Sequence, residues 1–403
     1  MKRARWKVGR SYRRRLWSRG WWLGFVWGLL LVLLVKGAVY MMKPERPEAK
    51  GPAANGAVMQ SESAPAEADN MELPRKAVNG ADAAETGEAA GKDAANDGVQ
   101  AASGSAADKR EQAVSAYDRL RVSVYLTEKK RIEKLPIELY VRGVLAGEMP
   151  VDFEPEALKA QAIAARTFIY RRLLTGDQTG LTESEKAKGA DVDDTVMTQA
   201  YVPLGELLDR WSGAEKEVKL QKLNEAVEAT KGLIVTYEGE PIQASFFSTS
   251  NGYTENASDY WNVDLPYLRS VASPWDKTLS PRYEEQVTLK LKDVGKKLGV
   301  KTAEVRGMRV LDTTAGDRVK AVRVGGETFT GREIRERLSL ASSDFTWSID
   351  GNEVTFATKG YGHGVGMSQW GADGMAENGA TAREILAHYY TGTKLETASG
   401  ILD

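Results

Sequence analysis

The chain has 403 residues, with 55 Lys and Arg against 56 Asp and Glu, two His, no Cys and 42% hydrophobic residues. That length accommodates two domains of roughly 150 residues or more. The missing cysteines exclude disulfides, thiolate nucleophiles and every Cys-containing zinc site, and two histidines exclude an all-His metal site.

The balanced total hides an asymmetry. Residues 1–43 hold 11 basic side chains and no acidic one, which leaves the rest of the chain with a net charge of about −12. A body that acidic does not suit a polyanion, so nucleic acid is not an expected partner. Residues 1–20 form a basic tail, and Trp21 to Met42 then read WWLGFVWGLLLVLLVKGAVYMM, with one charge at Lys36. As a helix this run spans about 33 Å, close to the hydrocarbon thickness of a bilayer. Lys36 lies near one end, where its side chain snorkels. Trp21 and Trp22 suit the opposite interface, and the basic flank sets the N-terminus in the cytoplasm. The expectation is a single-pass cell-membrane protein with an extracytoplasmic body. A cleaved signal peptide competes, because Trp21–Val35 falls within the usual apolar length, but no clean Ala-x-Ala site follows. Residues 43–116 contain no Phe, Trp or Tyr. They have too little to bury to offset their ordering entropy, and read as a disordered tether of about 45–50 Å end to end.

From Arg121 the pattern changes. RVSVYL alternates like a strand, and Pro136 opens a helical stretch that Pro150 stops just after Glu148 and Met149. A second helix is predicted from Pro155 to about Leu174, with Leu158, Ala162, Ala165, Ile169 and Leu173 along one apolar face. Residues 176–200 read as a loop, and 176–222 as an insertion, a lid or a partner surface. A helix is predicted over Leu220–Thr230, and strands over Leu233–Tyr237 and Ile242–Phe247. Gly325-Gly326 turns a hairpin between VKAVRV and ETF. Thr330-x-x-Glu333 and Thr381-x-x-Glu384 read as capping boxes. Strands in local pairs beside helices predict an α+β body rather than a doubly wound parallel sheet.

Three segments carry more polar residues and glycine than packing needs. In Gly147-Glu148-Met149-Pro150 the glutamate sits at a helix C-terminus, where the dipole disfavours a carboxylate. With Leu145, Met149 and Phe153 around it, its pKa should rise toward that of a general acid; a solvated helix-end Glu is the plainer alternative. In SFFSTSNGYTENASDYW, residues 245–261, the hydroxyls and amides of Ser248, Ser250 and their neighbours combine with Tyr253, Tyr260 and Trp261 in a way that suits sugars. An ordinary polar turn competes. GYGHGVGMSQWG, residues 360–371, points to positive φ or close backbone approach. His363 reads as a hydrogen-bonding or packing residue rather than a metal ligand, and no nucleophile elbow supports a Ser-His-Asp triad. Lys159 and Arg166 share one side of the second helix, and a structural ion pair is the alternative to a functional role for Arg166. Direct contact with Glu148 would lower the acid's pKa.

Three long segments, VRGVLAGEMPVDFEPEALKAQAIAARTF, FFSTSNGYTENASDYW and GYGHGVGMSQWGADGMAENGATAREILAHYYTGTKL, resemble the stage II sporulation protein D and amidase-enhancer family, in that family's order, from about Arg121 to Lys394. The resemblance implies a catalytic α+β domain with a substrate cleft over 117–398. Its implied activity is that of a lytic transglycosylase on peptidoglycan strands denuded of stem peptides, acting in forespore engulfment. The implied catalytic residue is Glu148, and Lys159 and Arg166 are implicated in activity or glycan contact. The implied partners are the sporulation amidase, stage II sporulation protein P, and stage II sporulation protein M. Some members hold zinc through Cys and His residues after the second helix. Here that stretch reads DVDDTVMTQAYVP, so no zinc or other cofactor is expected and packing alone should hold it. A transglycosylase needs only one carboxyl group, whereas ordinary glycoside hydrolysis uses two. The rivals are a two-carboxylate glycosidase using Glu255 or Asp259, and a non-catalytic wall-binding enhancer of an amidase.

Overall fold

A computed structural model describes residues 116–399, all within the compact unit Val58–Asp403. The basic tail, the expected anchor at 21–42 and the tether to residue 115 lie outside the described residues. Among the described residues no helix is long and apolar enough to cross a membrane.

The body is α+β. Strands β1 (Arg121–Leu126) and β2 (Arg131–Pro136) form an antiparallel hairpin, and β2 leads through Pro136 into helix α1 (Ile137–Glu148). Helix α2 (Pro155–Thr175) begins on Pro155 and ends against Gly176, whose φ of 66° is left-handed. Strand β3 (Val192–Asp193) returns parallel to β1. Helix α3 (Gly213–Glu228) then packs on α1 and α2, and β4 (Leu233–Tyr237) and β5 (Glu240–Pro241) pair antiparallel. Strand β6 is only Phe246–Phe247: Ile242 still donates to Val235 of β4, and a tight turn at Gln243–Ser245 precedes the new pairing.

Helix α2 is the centre of this core, and the single apolar face expected for it is too narrow. Every residue from Ala160 to Thr167 is buried. Its alanines let α1, α3, β4 and the two C-terminal helices approach from different sides. The short helix Glu183–Ala187 and β3 occupy the stretch read as a loop, and 192–202 packs on α1.

A second lobe with its own core follows. It runs from β7 (Glu284–Lys290) and α4 (Leu291–Leu298) through β8 (Arg309–Thr313), β9 (Val319–Val324) and β10 (Glu327–Thr330). It continues with α5 (Gly331–Leu338), β11 (Phe345–Asp350) and β12 (Glu353–Lys359). Leu291, Val322, Ile334, Phe345 and Phe356 are buried at its centre. The single catalytic domain expected over 117–398 thus has two cores. Gly325 takes φ 59° in the β9–β10 turn, and Thr330 caps α5 through the predicted box. The lobe's first and last strands, β7 and β12, pair along their full length, and the Gly360 N–H donates to the Tyr283 carbonyl at 2.8 Å. The chain then re-enters the main core as β13 (Met367–Ser368), parallel to β6, followed by α6 (Gln369–Glu377), α7 (Ala382–Tyr389) and β14 (Lys394–Thr397). Thr381 caps α7 through the second predicted box.

Candidate active site

Three sequence segments converge because the second and third run beside each other. Thr249 bridges Tyr361, and Glu255 bridges Val365. The third segment needs glycine to do this: φ is positive at Gly360, Gly362, Gly364 and Gly366. A Cβ on Gly366 would collide with the Ser245 carbonyl. Strand β13 then delivers Gln369 to the end of α1, where Glu148 lies.

Glu148 is the last residue of α1 and is 0% exposed. Its carboxylate accepts a hydrogen bond from the Ala200 N–H at 2.7 Å and a long one from the Gln369 side-chain amide at 3.5 Å. Burial pushes its pKa up to about 8, against the opposing pull of those two donors. The expected neighbours Leu145, Met149 and Phe153 are all buried in the same core. Phe153 meets the Trp370 ring edge-on at 4.6 Å. The Gln369 Oε1 is buried without a hydrogen-bond partner. A protonated Glu148 could supply one if the amide turned over, so the pocket suits the acid form.

Arg166 does not touch Glu148, which removes the conflict over its pKa. The guanidinium is 0% exposed and grips Glu138 with two forked bonds, at 3.0 Å from Nε and 2.7 Å from Nη2. Its other donors reach the Leu233 carbonyl and Thr230. Tyr117 and the Gly232 N–H also donate to Glu138. Arg166 therefore presents nothing to a ligand in this conformation. Lys159, partly exposed, pairs with Glu156 at 2.7 Å, and Glu156 also accepts from the Ala382 N–H.

Ser248 and Ser250, predicted to meet a sugar, are buried and satisfied inside the protein; Tyr253 alone of the three stays on the surface, 45% exposed. The Ser248 hydroxyl bonds that of Thr249 at 3.1 Å, and the Ser250 hydroxyl serves a carboxylate that sequence reasoning passed over. Asp276 accepts from the Ser250 N–H at 2.8 Å, the Ser250 hydroxyl at 3.0 Å, the Ser273 hydroxyl at 2.7 Å and the Ser368 hydroxyl. Burial raises its pKa even so. Asp276 thus ties the second segment to β13, and through it to Gln369. Nothing in its local sequence, SPWDKTL, marks this. Asp276→Ala would leave the buried Ser250 N–H without its acceptor and push the Ser250, Ser273 and Ser368 hydroxyls onto their second partners, so a loss of about 2–4 kcal/mol in urea unfolding is expected.

His363 is buried among Phe247, Tyr260 and Trp261, with ring centroids 5.3–5.9 Å away, and its Nδ1 accepts from the Val365 N–H at 3.0 Å. That is the packing role read from the sequence. An open cavity of about 480 Å³ lies beside this cluster, lined by Glu255, Asp259, Tyr260 and Trp261 and, from the second lobe, Arg318 and Lys320. Glu148 is not among its walls. Glu255 bonds the Thr314 hydroxyl at 2.6 Å and faces Arg318 at 3.8 Å, while Asp259 pairs with Lys320 at 3.2 Å.

The stretch 191–203 is held by more than packing. Asp191 accepts from the Ser123 N–H, Asp194 from Thr127, and Asp193 from Thr195 and Thr198. Three aspartates thereby anchor this stretch through hydrogen bonds.

A family model described as stage II sporulation protein matches residues 125–237. The chain is 47% identical to stage II sporulation protein D of Bacillus subtilis (strain 168) over 283 residues, 70% of this chain and 80% of that protein. It is equally similar to the protein of that name from Bacillus amyloliquefaciens, 47% over 282 residues, with the same shares of the two chains covered. To the amidase enhancer of Bacillus subtilis it is 30% identical over 309 residues, 63% of this chain and 40% of the enhancer. At that identity over 80% of the Bacillus subtilis protein, the chain belongs to the stage II sporulation protein D family.

Proposed function

We propose that this sporulation protein is a lytic transglycosylase that cleaves denuded peptidoglycan strands during engulfment, with Glu148 as its acid and base. The observation that carries this reading is the Glu148 carboxyl group, enclosed at the end of α1 with only two donors on it among the described residues, whose pKa burial drives up to about 8. Such a group is protonated at neutral pH and can donate to a leaving glycosidic oxygen. The muramic 6-hydroxyl then attacks the anomeric carbon as that bond breaks, and the Glu148 carboxylate takes the hydroxyl proton. The products are a 1,6-anhydro end and a free hydroxyl on the departing sugar. Holding the 6-hydroxyl over its own ring makes the attack intramolecular. The carboxylates of the two-carboxylate alternative, Glu255 and Asp259, are engaged with Arg318 and Lys320.

The cavity beside Tyr260 and Trp261 has a volume that suits a short stretch of glycan. Exposed Tyr253 offers a further face for stacking, with Ser248 and Ser250 bracing the loop that carries it. Because Glu148 has no exposed surface, a strand reaches it only after the 198–202 segment or the start of α6 at Gln369 moves. The body would work outside the cell membrane, tethered by the apolar run at 21–42, beside the sporulation amidase, stage II sporulation protein P, and stage II sporulation protein M.

Full-length protein and its Glu148→Gln variant incubated with denuded strands, with products read by mass spectrometry, test this. Anhydro ends from the wild type alone are expected; reducing ends would assign a hydrolase instead. The second reading, a wall-binding amidase enhancer, draws on the similarity to the enhancer and on the closed state of Glu148. It predicts intact strands that retain both proteins.

A further inference from the structure

Helix α1 carries Gly143 and Gly147 one turn apart, both in helical conformation. A Cβ on Gly143 would strike the Tyr201 ring and come within 2.9 Å of the Val202 carbonyl; one on Gly147 would lie 2.5 Å from the Ala200 carbonyl. The two missing side chains leave a shallow groove on the helix, and the backbone of 200–202 occupies it. The Val202 N–H donates to the Gly143 carbonyl at 3.1 Å, and one turn further on the Ala200 N–H reaches Glu148.

The other end of this segment is fixed by Asp193, which is buried and has no part in the proposed chemistry. It accepts from the Thr195 N–H and hydroxyl at 3.0 Å and from the Thr198 hydroxyl at 2.9 Å. Between the two anchors, the Tyr140 hydroxyl donates to the Gln199 side-chain oxygen at 3.1 Å. The acid's backbone donor is thus presented by a short span held at both ends.

We propose that residues 193–202 are a strap that keeps the Glu148 carboxyl enclosed, with Asp193 and Thr198 as positioning residues and Gly143 and Gly147 as its seat. The inference rests on Glu148 being the acid of strand cleavage. Two effects oppose each other when the strap lifts. Losing the Ala200 N–H raises the pKa of Glu148, whereas admitting water lowers it, and burial is the larger cause. The net shift is downward. The charged and titratable groups around the strap include Tyr140 and Arg142 on α1, Arg172 on α2, Glu133 on β2, Glu206, and Asp193 and Tyr201 of the strap itself; at Glu148 burial outweighs its two hydrogen-bond donors.

Gly147→Ala separates the strap from the helix beneath it. Alanine is the better helix former, so α1 is not weakened, but the new methyl displaces Ala200. Thr198→Val is the second variant, and removes one hydroxyl at nearly constant size. Full-length protein labelled with 13C-glutamate is titrated by NMR, with the Glu148 signal assigned by its loss in Glu148→Gln. In both variants the Glu148 titration should move down by about one pH unit or more, and the alkaline limb of strand cleavage should move with it. The Ala200 amide should exchange at least about tenfold faster. Wild-type titration and exchange in both variants would overturn the strap. The carboxyl readout needs no activity, so the two readings fail separately. A shifted titration in a protein that cleaves nothing sinks the transglycosylase and leaves the strap; an unmoved titration in a protein that cleaves does the reverse.

Discussion

Glu148→Gln is expected to slow strand cleavage by about 10²- to 10⁴-fold and, at the same time, to stabilise the protein in alkaline solution. The second effect follows from linkage. The folded protein holds the Glu148 proton up to about pH 8, whereas the unfolded chain releases it near the ordinary value of 4.5. Between those pH values the folded state binds more protons, so this group's contribution to stability falls as pH rises, and is constant above the folded pKa. At about 1.4 kcal/mol per unit the full effect is roughly 4–5 kcal/mol, an upper bound because a strained pocket relaxes. Glutamine has no proton to lose. Urea midpoints at pH 5 and pH 9 should therefore diverge for the wild type more than for the variant. Other buried carboxyls, such as Asp373 with its pKa raised to about 6, contribute to both proteins and cancel in the difference. Equal pH slopes would mean that Glu148 is ionised and hydrated in the folded state.

Arg166→Ala should cost about 3–5 kcal/mol, the usual penalty for breaking a buried ion pair from one side. Glu138 would keep the Tyr117 hydroxyl and the Gly232 N–H but lose its only forked partner. Lysine should rescue little, because a point charge cannot serve Glu138, Thr230 and the Leu233 carbonyl together. The double variant Arg166→Met with Glu138→Leu should recover much of the loss, since it leaves no orphaned charge. Urea unfolding reads all three. A large drop in cleavage by Arg166→Ala at unchanged stability would instead make Arg166 a glycan contact.

Local structure was legible wherever one residue type has one dominant use. Pro136 and Pro155 mark the starts of α1 and α2, Gly325 the hairpin, and Thr330 and Thr381 the caps. Glu148 was legible because a carboxyl beside Leu145, Met149 and Phe153 at a helix end has few comfortable states. Long-range partnership was not. Nothing in the sequence singles out Glu138 or Asp276, whose partners Arg166 and Ser368 lie 28 and 92 residues further along the chain. Ala200 acts through its backbone, and a backbone N–H has no signature in sequence. Ser248 and Ser250 show the same limit from the other side: their hydroxyls announce hydrogen bonding but not whether the partner is a sugar, the neighbouring Thr249 or the buried Asp276.

The paired strands β7 and β12 bear on how this architecture can change. The second lobe leaves the main core at Tyr283 and rejoins it at Gly360, and those two residues are hydrogen-bonded to each other. A lobe entered and left through one doorway is a cassette: it can be trimmed, enlarged or exchanged while the chain on either side keeps its course. Since the cavity takes one wall from each lobe, such an exchange would redraw that cavity and leave the buried Glu148 untouched. If the cavity receives the proposed glycan and Glu148 is its acid, specificity and chemistry can drift apart without either refolding the other.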